Sequence, residues 1–171
     1  MGLVGFMGTG KSSVGRLVAE LLRFRFVDTD ELIEGRTGKT ITRIFAEEGE
    51  AAFRALEQQL IAEQASEKGL VISVGGGAVV NPDNLASLKS HALVVCLWAS
   101  PKAIWARVGH QDHRPLLQGP DPLARIQELL DQRAPFYKQA DVLLSSEFRS
   151  AREVAQQVVH QFRLALPPIR L

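Results

Sequence analysis

One eight-residue run constrains this chain more than any other stretch: Gly5-Phe6-Met7-Gly8-Thr9-Gly10-Lys11-Ser12. Two glycines frame four residues and a Lys-Ser pair closes the run, which is the P-loop pattern. Each element has a physical reason. Glycines let the backbone take positive φ and turn its N–H groups inward on a phosphate. A helix that follows presents its positive N-terminal end to the same anion. Lys11 has the length to reach terminal phosphates, and the Ser12 hydroxyl is a ligand for Mg²⁺. The setting supports the match. Leu3-Val4 is a short apolar run before the loop. After it, Val14, Leu17, Val18, Leu21 and Leu22 recur at i, i+3, i+4, i+7 and i+8, one face of a helix.

The rest of the chain alternates short apolar runs with helical patterns, which predicts a parallel sheet with helices on both faces. Strands are expected at Leu3-Val4, Arg25 to Val27, Leu70 to Val74, Leu93 to Trp98 and Val142 to Leu144. Helices are expected over 12–23, 31–36, 50–65, 83–89, 102–108, 123–139 and 151–166. Ser100-Pro101 reads as an N-cap followed by proline at the first helical position, and Ser150 with Glu153 as a capping box. With 171 residues and no linker, the whole chain reads as one domain. The net charge of +1 provides no field to attract nucleic acid or a membrane surface. No apolar run approaches the roughly 20 residues that span a bilayer, and no leader peptide is expected before the loop. The lone Cys96 excludes an internal disulfide and reads as a buried strand residue, in keeping with a reducing cytoplasm.

Ligands of such sheets bind beyond the carboxyl ends of the strands, so the residues there carry the chemistry. The second strand runs into Asp28-Thr29-Asp30. On an extended segment the two carboxylates point the same way, Asp28 toward the metal side of Ser12 and Asp30 toward an acceptor hydroxyl. Asp30 is also a possible cap for the helix expected from Glu31. The third strand carries no acid and ends in Gly75-Gly76-Gly77, where a ligand can approach backbone N–H groups. Arg54 and Glu57 are i, i+3 neighbours able to pair, and by composition alone they read as a solvated surface pair. Arg133, in a helix that Pro135 is expected to bend or break, reads the same way. Between Gly109 and Gly119 lies a polar segment with Arg114 near its middle. It has the composition of a lid that swings a cation onto phosphates. His110 and His113 in that segment lack the companions of a zinc site.

Taken in order, these elements resemble the shikimate kinase family over most of the chain. The residues that carry the resemblance are Gly5 to Arg16, Asp28-Thr29-Asp30, Thr37-Gly38-Lys39 with Ile44-Phe45, and Gly49-Glu50 with Phe53-Arg54 and Glu57. Gly75-Gly76-Gly77, Arg114-Pro115-Leu116-Leu117, and Arg133 with Pro135 and Tyr137 complete the set. The resemblance implies a three-layer α/β/α P-loop kinase fold with a central five-stranded parallel sheet. It implies substrate-binding helices over about 31–65 and a lid over about 109–119. It implies ATP-dependent phosphorylation of the 3-hydroxyl of shikimate by a cytoplasmic monomer using Mg²⁺. Gly8, Thr9, Gly10, Lys11, Ser12 and Ser13 would hold the ATP phosphates, with Ser12 and Asp28 at the metal. Asp30 would bind shikimate hydroxyls, Arg54 and Arg133 its carboxylate, and Gly75 to Gly77 would add backbone contacts, while Glu57 orients the arginines. Arg114 would be the lid arginine on ATP, and Arg107 or Arg149 would flank the adenine. The resemblance thus overrides the surface reading of Arg54 and Arg133. One region departs from the family: an Asp-Thr pair with a later proline is usual where this chain has Ser145-Ser146 and Ala151.

Three other readings explain less. A GTP-binding switch would carry Asn-Lys-x-Asp and Asp-x-x-Gly elements, and neither occurs. A gluconate or nucleoside monophosphate kinase would share the loop but would not need Arg54, the triple glycine and Arg133 together. A member that had lost catalysis would not be expected to keep Lys11, Asp28, Asp30, Arg54, Arg114 and Arg133.

Overall fold

The computed structural model describes residues 1–109 and 121–166. Five parallel strands form one sheet in the order β2-β3-β1-β4-β5. They are β1 (Gly2–Val4), β2 (Arg25–Asp28), β3 (Leu70–Ser73), β4 (Val94–Trp98) and β5 (Val142–Ser145). Each is joined to the next through helix, as parallel pairing requires. The helices are α1 (Lys11–Leu22), α2 (Thr29–Thr37), α3 (Ile41–Glu47), α4 (Gly49–Ala65), α5 (Pro82–His91), α6 (Pro101–Val108), α7 (Pro122–Tyr137) and α8 (Ala151–Ala165).

The strands are apolar on both faces because both faces are covered. Leu3, Val71, Val95 and Leu97 point into one core, shared with Val14 and Val18 of α1 and Val154 and Val158 of α8. Their alternates Val4, Ile72, Val94 and Cys96 point into the other. There they meet Ile61 of α4, Leu85 and Leu88 of α5, Ile104 of α6, and Ile126 and Leu129 of α7. The period of two along each strand therefore sorts residues between two layers of helices. A third, smaller cluster joins Ile33, Ile44, Phe53 and Leu60 of α2, α3 and α4. Cys96 is buried, and burial pushes its thiol up to about 11, which makes it a packing residue.

The N-cap of Ser100 with Pro101 behind it and the Ser150–Glu153 capping box both form as their sequences predict. Three local expectations fail. Asp28 is the last residue of β2, and its Oδ1 accepts from the Asp30 backbone N at 3.0 Å. Asp28 is thus the cap of α2. Asp30 lies in the first helical turn, so the two carboxylates do not share an extended segment. Pro135 does not break α7, which continues to Tyr137. Helix α3 was missed: its seven residues are too short for apolar periodicity to register. Its start is set by the Thr40 hydroxyl, which accepts from Arg43 N at 3.2 Å.

Strand β1 lies between β3 and β4 and delivers the P-loop over the middle of the sheet. Gly5 leaves the strand at φ +131°, and a Cβ there would collide with the backbone carbonyl of Leu97 in β4. Backbone cannot yield as a flexible side chain does, and the conformation itself disfavours any side chain. Gly5→Ala is expected to cost about 3 kcal/mol or more. Urea denaturation should show the midpoint falling, or no folded protein at all.

Candidate active site

The strand order decides which residues meet. An open cleft of about 970 Å³ runs along the carboxyl end of the sheet. Its lining includes Lys11, Ser12 and Asp28 at one part and Asp30, Arg54, Glu57 and Arg133 at another, with Gly75 to Gly77 between. The P-loop turns through positive φ at Gly5, Gly8 and Gly10, and Gly10 is the N-cap of α1. The Lys11 ammonium donates to the carbonyls of Gly5 at 2.9 Å and Phe6 at 3.0 Å, so the loop holds its own cation over the strand end. Thr9 faces inward: it is fully buried, and both its hydroxyl, at 2.8 Å, and its backbone N–H, at 3.4 Å, donate to Phe6 O. Ser13 is exposed on the first turn of α1.

Asp28 reaches the P-loop because β2 pairs with β3 in a register that sets Asp28 beside Ser73. Its Oδ2 accepts from the Ser12 hydroxyl at 2.7 Å while its Oδ1 caps α2. Capping and function are therefore not alternatives for this carboxylate. Two neutral-to-anionic oxygen donors in contact suit Mg²⁺, which is commonly held by one or two protein oxygens together with phosphate and water. Ser12 and Asp28 fit that ion.

At the other part of the cleft, Glu57 is wholly buried and its Oε2 accepts from Arg54 at 2.7 Å. Glu50 accepts from the same guanidinium at 3.1 Å. The i, i+3 spacing was read correctly and the solvated surface was not. Phe53, Leu60 and Ile61 turn this side of α4 inward. Glu57 Oε1 is buried with no hydrogen-bond partner among the described residues. Burial raises the Glu57 carboxyl above its ordinary range, Arg54 opposes that shift, and Asp30 adds to it.

Arg133 comes from α7. It donates to Gly76 O at 3.4 Å and lies over the Phe6 ring at 5.5 Å. Tyr137, one turn further, donates its hydroxyl to the same Gly76 carbonyl. Burial pushes the Tyr137 hydroxyl up to about 12, so it stays a donor.

The triple glycine is open for a reason other than ligand access alone. A Cβ on Gly75 would overlap Glu57 Oε1 and stand 3.0 Å from Asp30 Oδ1. On Gly76 it would press on Met7 N of the P-loop at 3.1 Å, and on Gly77 on the Arg54 guanidinium at 2.6 Å. The protein's own charged groups use the space. The Gly75 N–H is also taken, donating to Thr29 Oγ1 at 3.1 Å. Thr29 escaped the sequence reading, although its place between two acids at a strand end was the signal. Ile41 and Phe45 of α3 also line the cleft; Phe45 was named only through the resemblance, and Ile41 was missed with its helix.

Arg107 projects from α6 to donate to Gly8 O at 3.1 Å and Ser146 O at 2.6 Å, tying the P-loop to the end of β5. Arg149 is exposed on the loop after β5 and donates to Ser145 O at 3.3 Å. Arg114 and the segment 110–120 lie outside the described residues, and only Gly109 of the expected lid is described.

A P-loop on a parallel sheet, facing a carboxylate and two arginines across one cleft, defines an ATP-dependent small-molecule kinase. The comparisons with known proteins agree. The family model for shikimate kinase matches residues 7–163. A shikimate kinase of Thermodesulfovibrio yellowstonii is 44% identical over 94% of this chain and 92% of its own length. One from Halorhodospira halophila is 46% identical over 92% and 89%. The solved shikimate kinase of Acinetobacter baumannii, in complex with shikimate, superposes with a TM-score of 0.92 at 38% identity, covering 97% of this chain and 94% of that one. The chain belongs to the shikimate kinase family. It is a phosphotransferase that uses ATP and acts on an alcohol group, with shikimate as the acceptor that defines the family.

Glu57 supplies a test of the buried acceptor end. A carboxyl raised on folding favours the folded state below its unfolded value of 4.5, and that contribution is lost as pH climbs through the folded value. Glu57→Gln removes the titration and keeps an acceptor for Arg54. Stability curves from pH 4 to 8 should therefore shift in favour of Glu57→Gln as pH rises. Parallel curves for the two proteins would contradict the raised carboxyl.

Proposed function

We propose that the two ends of this cleft divide the phosphorylation of the shikimate 3-hydroxyl between them. The observation that carries this reading is their meeting at Gly75 to Gly77, where P-loop backbone, Asp30, Glu57 and Arg54 all lie within contact distance of three adjacent residues.

At the donor end, backbone N–H groups from Gly8 to Ser13 and the N-terminus of α1 receive the phosphates. Lys11 exchanges its loop carbonyls for phosphate oxygens, and the charge on the transferring group is met by a cation already in place. When bound by Ser12 and Asp28, Mg²⁺ supplies charge neutralisation on the phosphates. Arg114 is assigned to the same charge by family resemblance, closing a lid over 109–119. Arg107 or Arg149 flanks the adenine.

At the acceptor end, Arg54 and Arg133 take the carboxylate. Arg54 is already balanced by Glu50 and Glu57, which fix its direction. Arg133 lines the cleft, where it makes a long bond to the Gly76 carbonyl, lies over the Phe6 ring and feels the Glu57 carboxyl, so its charge can be offered to an anion. Asp30 orients the 3-hydroxyl and accepts its proton as the bond to phosphorus forms. Glu57 holds Arg54 in its direction beside Asp30. Gly75 to Gly77 admit the ring against backbone. In this reading 1–171 form one kinase domain, with acceptor-binding helices over about 31–65. The protein is read as a cytoplasmic monomer: the net charge of +1 gives no field for a membrane or nucleic-acid partner, and the lone buried Cys96 suits a reducing compartment.

Two substitutions separate the ends. Lys11→Met should leave the fold intact and lower turnover on the order of 10³-fold, since a preorganised cation is lost from the developing charge. Arg133→Ala should weaken shikimate by about 2–5 kcal/mol and leave ATP affinity nearly unchanged. Steady-state kinetics with each substrate varied checks both. Near-normal turnover in a folded Lys11→Met protein, or equal losses for both substrates in Arg133→Ala, would defeat the assignment.

A further inference from the structure

Arg133 and Tyr137 stand four residues apart on α7, so they share one side of the helix. They converge on one atom. The Gly76 carbonyl accepts from the Tyr137 hydroxyl at 2.5 Å and from Arg133 Nη1 at 3.4 Å. The bonds are unequal: the neutral hydroxyl makes the short one, and the charged guanidinium makes the long one. The hydroxyl also lies beside the guanidinium. Burial raises the Tyr137 hydroxyl, and the charge of Arg133 and a hydrogen bond from it oppose that rise.

The ring and the hydroxyl of Tyr137 have separate uses. The ring belongs to the core cluster that holds Val4, Cys96 and Ile126, and a phenylalanine would fill its place. A buried hydroxyl is costly unless it is bonded, and this one finds its partner at the edge of the cleft. Gly76 packs so closely on the P-loop that an added Cβ would stand 3.1 Å from Met7 N. Its carbonyl is therefore anchored, and so is the hydroxyl that bonds it.

Gly76 and Arg133 line the cleft, and Tyr137 is buried behind that lining. A carbonyl that lacks a good donor draws in a guanidinium, because such a charge-assisted bond is strong. While the Tyr137 hydroxyl satisfies Gly76 O, the Arg133 guanidinium stays at 3.4 Å with its charge toward the cleft. The Phe6 ring beneath it completes the seat.

We propose that Tyr137 is a positioning residue for acceptor binding: its hydroxyl takes the Gly76 carbonyl and directs the Arg133 guanidinium toward the acceptor's carboxylate. The inference rests on the reading of Arg133 as a carboxylate ligand given above. Tyr137 acts through Arg133. Without the hydroxyl, Gly76 O draws Arg133 back from the cleft, and the carboxylate meets a guanidinium already engaged.

The test measures shikimate and ADP affinity by calorimetric titration in Tyr137→Phe, Arg133→Ala and the double variant. Tyr137→Phe keeps the ring in the core. It is expected to bind shikimate roughly five-fold or more weakly and ADP as the wild type does. In the Arg133→Ala background Tyr137→Phe should cost nothing more, since residues that act through one another are not additive. A hydroxyl that only supported the fold would show the same loss in both backgrounds. Full additivity overturns the proposal, as does wild-type shikimate affinity in Tyr137→Phe or an equal loss for ADP. Unchanged shikimate affinity in Arg133→Ala would instead bring down the carboxylate reading, and this inference with it. Tyr137 is also the single tyrosine of the chain, so 3-fluorotyrosine provides one fluorine resonance that reads the hydroxyl with the side chain kept. Saturating shikimate should shift that resonance when Arg133 is present and leave it in place in Arg133→Ala. An unmoved resonance in both proteins, or the same shift in both, overturns the proposal.

Discussion

The structure depends on a buried carboxylate held against a guanidinium beneath a run of glycines. Glu57 has no exposure, and a buried carboxylate without a partner is among the costlier things a fold can contain. Arg54 supplies the partner from one turn away on the same helix. Such a pair contributes little net stability against an apolar pair of the same size. What it provides is direction. With Glu57 fixed on one side and Glu50 on the other, the Arg54 guanidinium has one orientation, and that orientation faces Gly77. The glycines then bring this pair within contact of the P-loop backbone, so the two parts of the cleft are held at one spacing by packing that no larger residue would permit.

The sheet contributes the other constraint. Parallel strands end on the same side, and the order β2-β3-β1-β4-β5 puts the P-loop strand in the middle. Asp28 can therefore reach Ser12 from a strand two places away in space, which compensates for the missing acid on β3. The same middle position divides this end of the sheet, with Asp30, Arg54 and Glu57 over one half and the Arg107–Ser146 tie over the other.

Much of this was legible in the chain. The P-loop and the short apolar runs alternating with helical patterns pointed to the fold class because both are local patterns. Lys11, Ser12 and Asp28 followed from the same patterns. Arg54, Glu57 and Arg133 did not. A charged pair at i, i+3 looks the same whether solvent or a glycine run lies opposite, and that is decided by residues about twenty positions away. Only the resemblance to a family recovered them. Asp30 was found for a reason that proved wrong in detail: the strand stops at Asp28, so helix geometry and not extended alternation orients it. Helix α3 was invisible because seven residues show no periodicity, while Thr29 was passed over because its role is a single hydrogen bond to Gly75 N.

The central claim is that one cleft holds a nucleotide at the P-loop and a carboxylate at Arg54 and Arg133, with transfer occurring between them. It is tested most directly by coupled measurement of ADP release with three acceptors: none, shikimate, and the methyl ester of shikimate. The account predicts slow release without acceptor, fast release with shikimate, and release near the acceptor-free rate with the ester, whose hydroxyls are intact and whose charge is gone. Equal rates with acid and ester would contradict it, as would fast ADP release with no acceptor present.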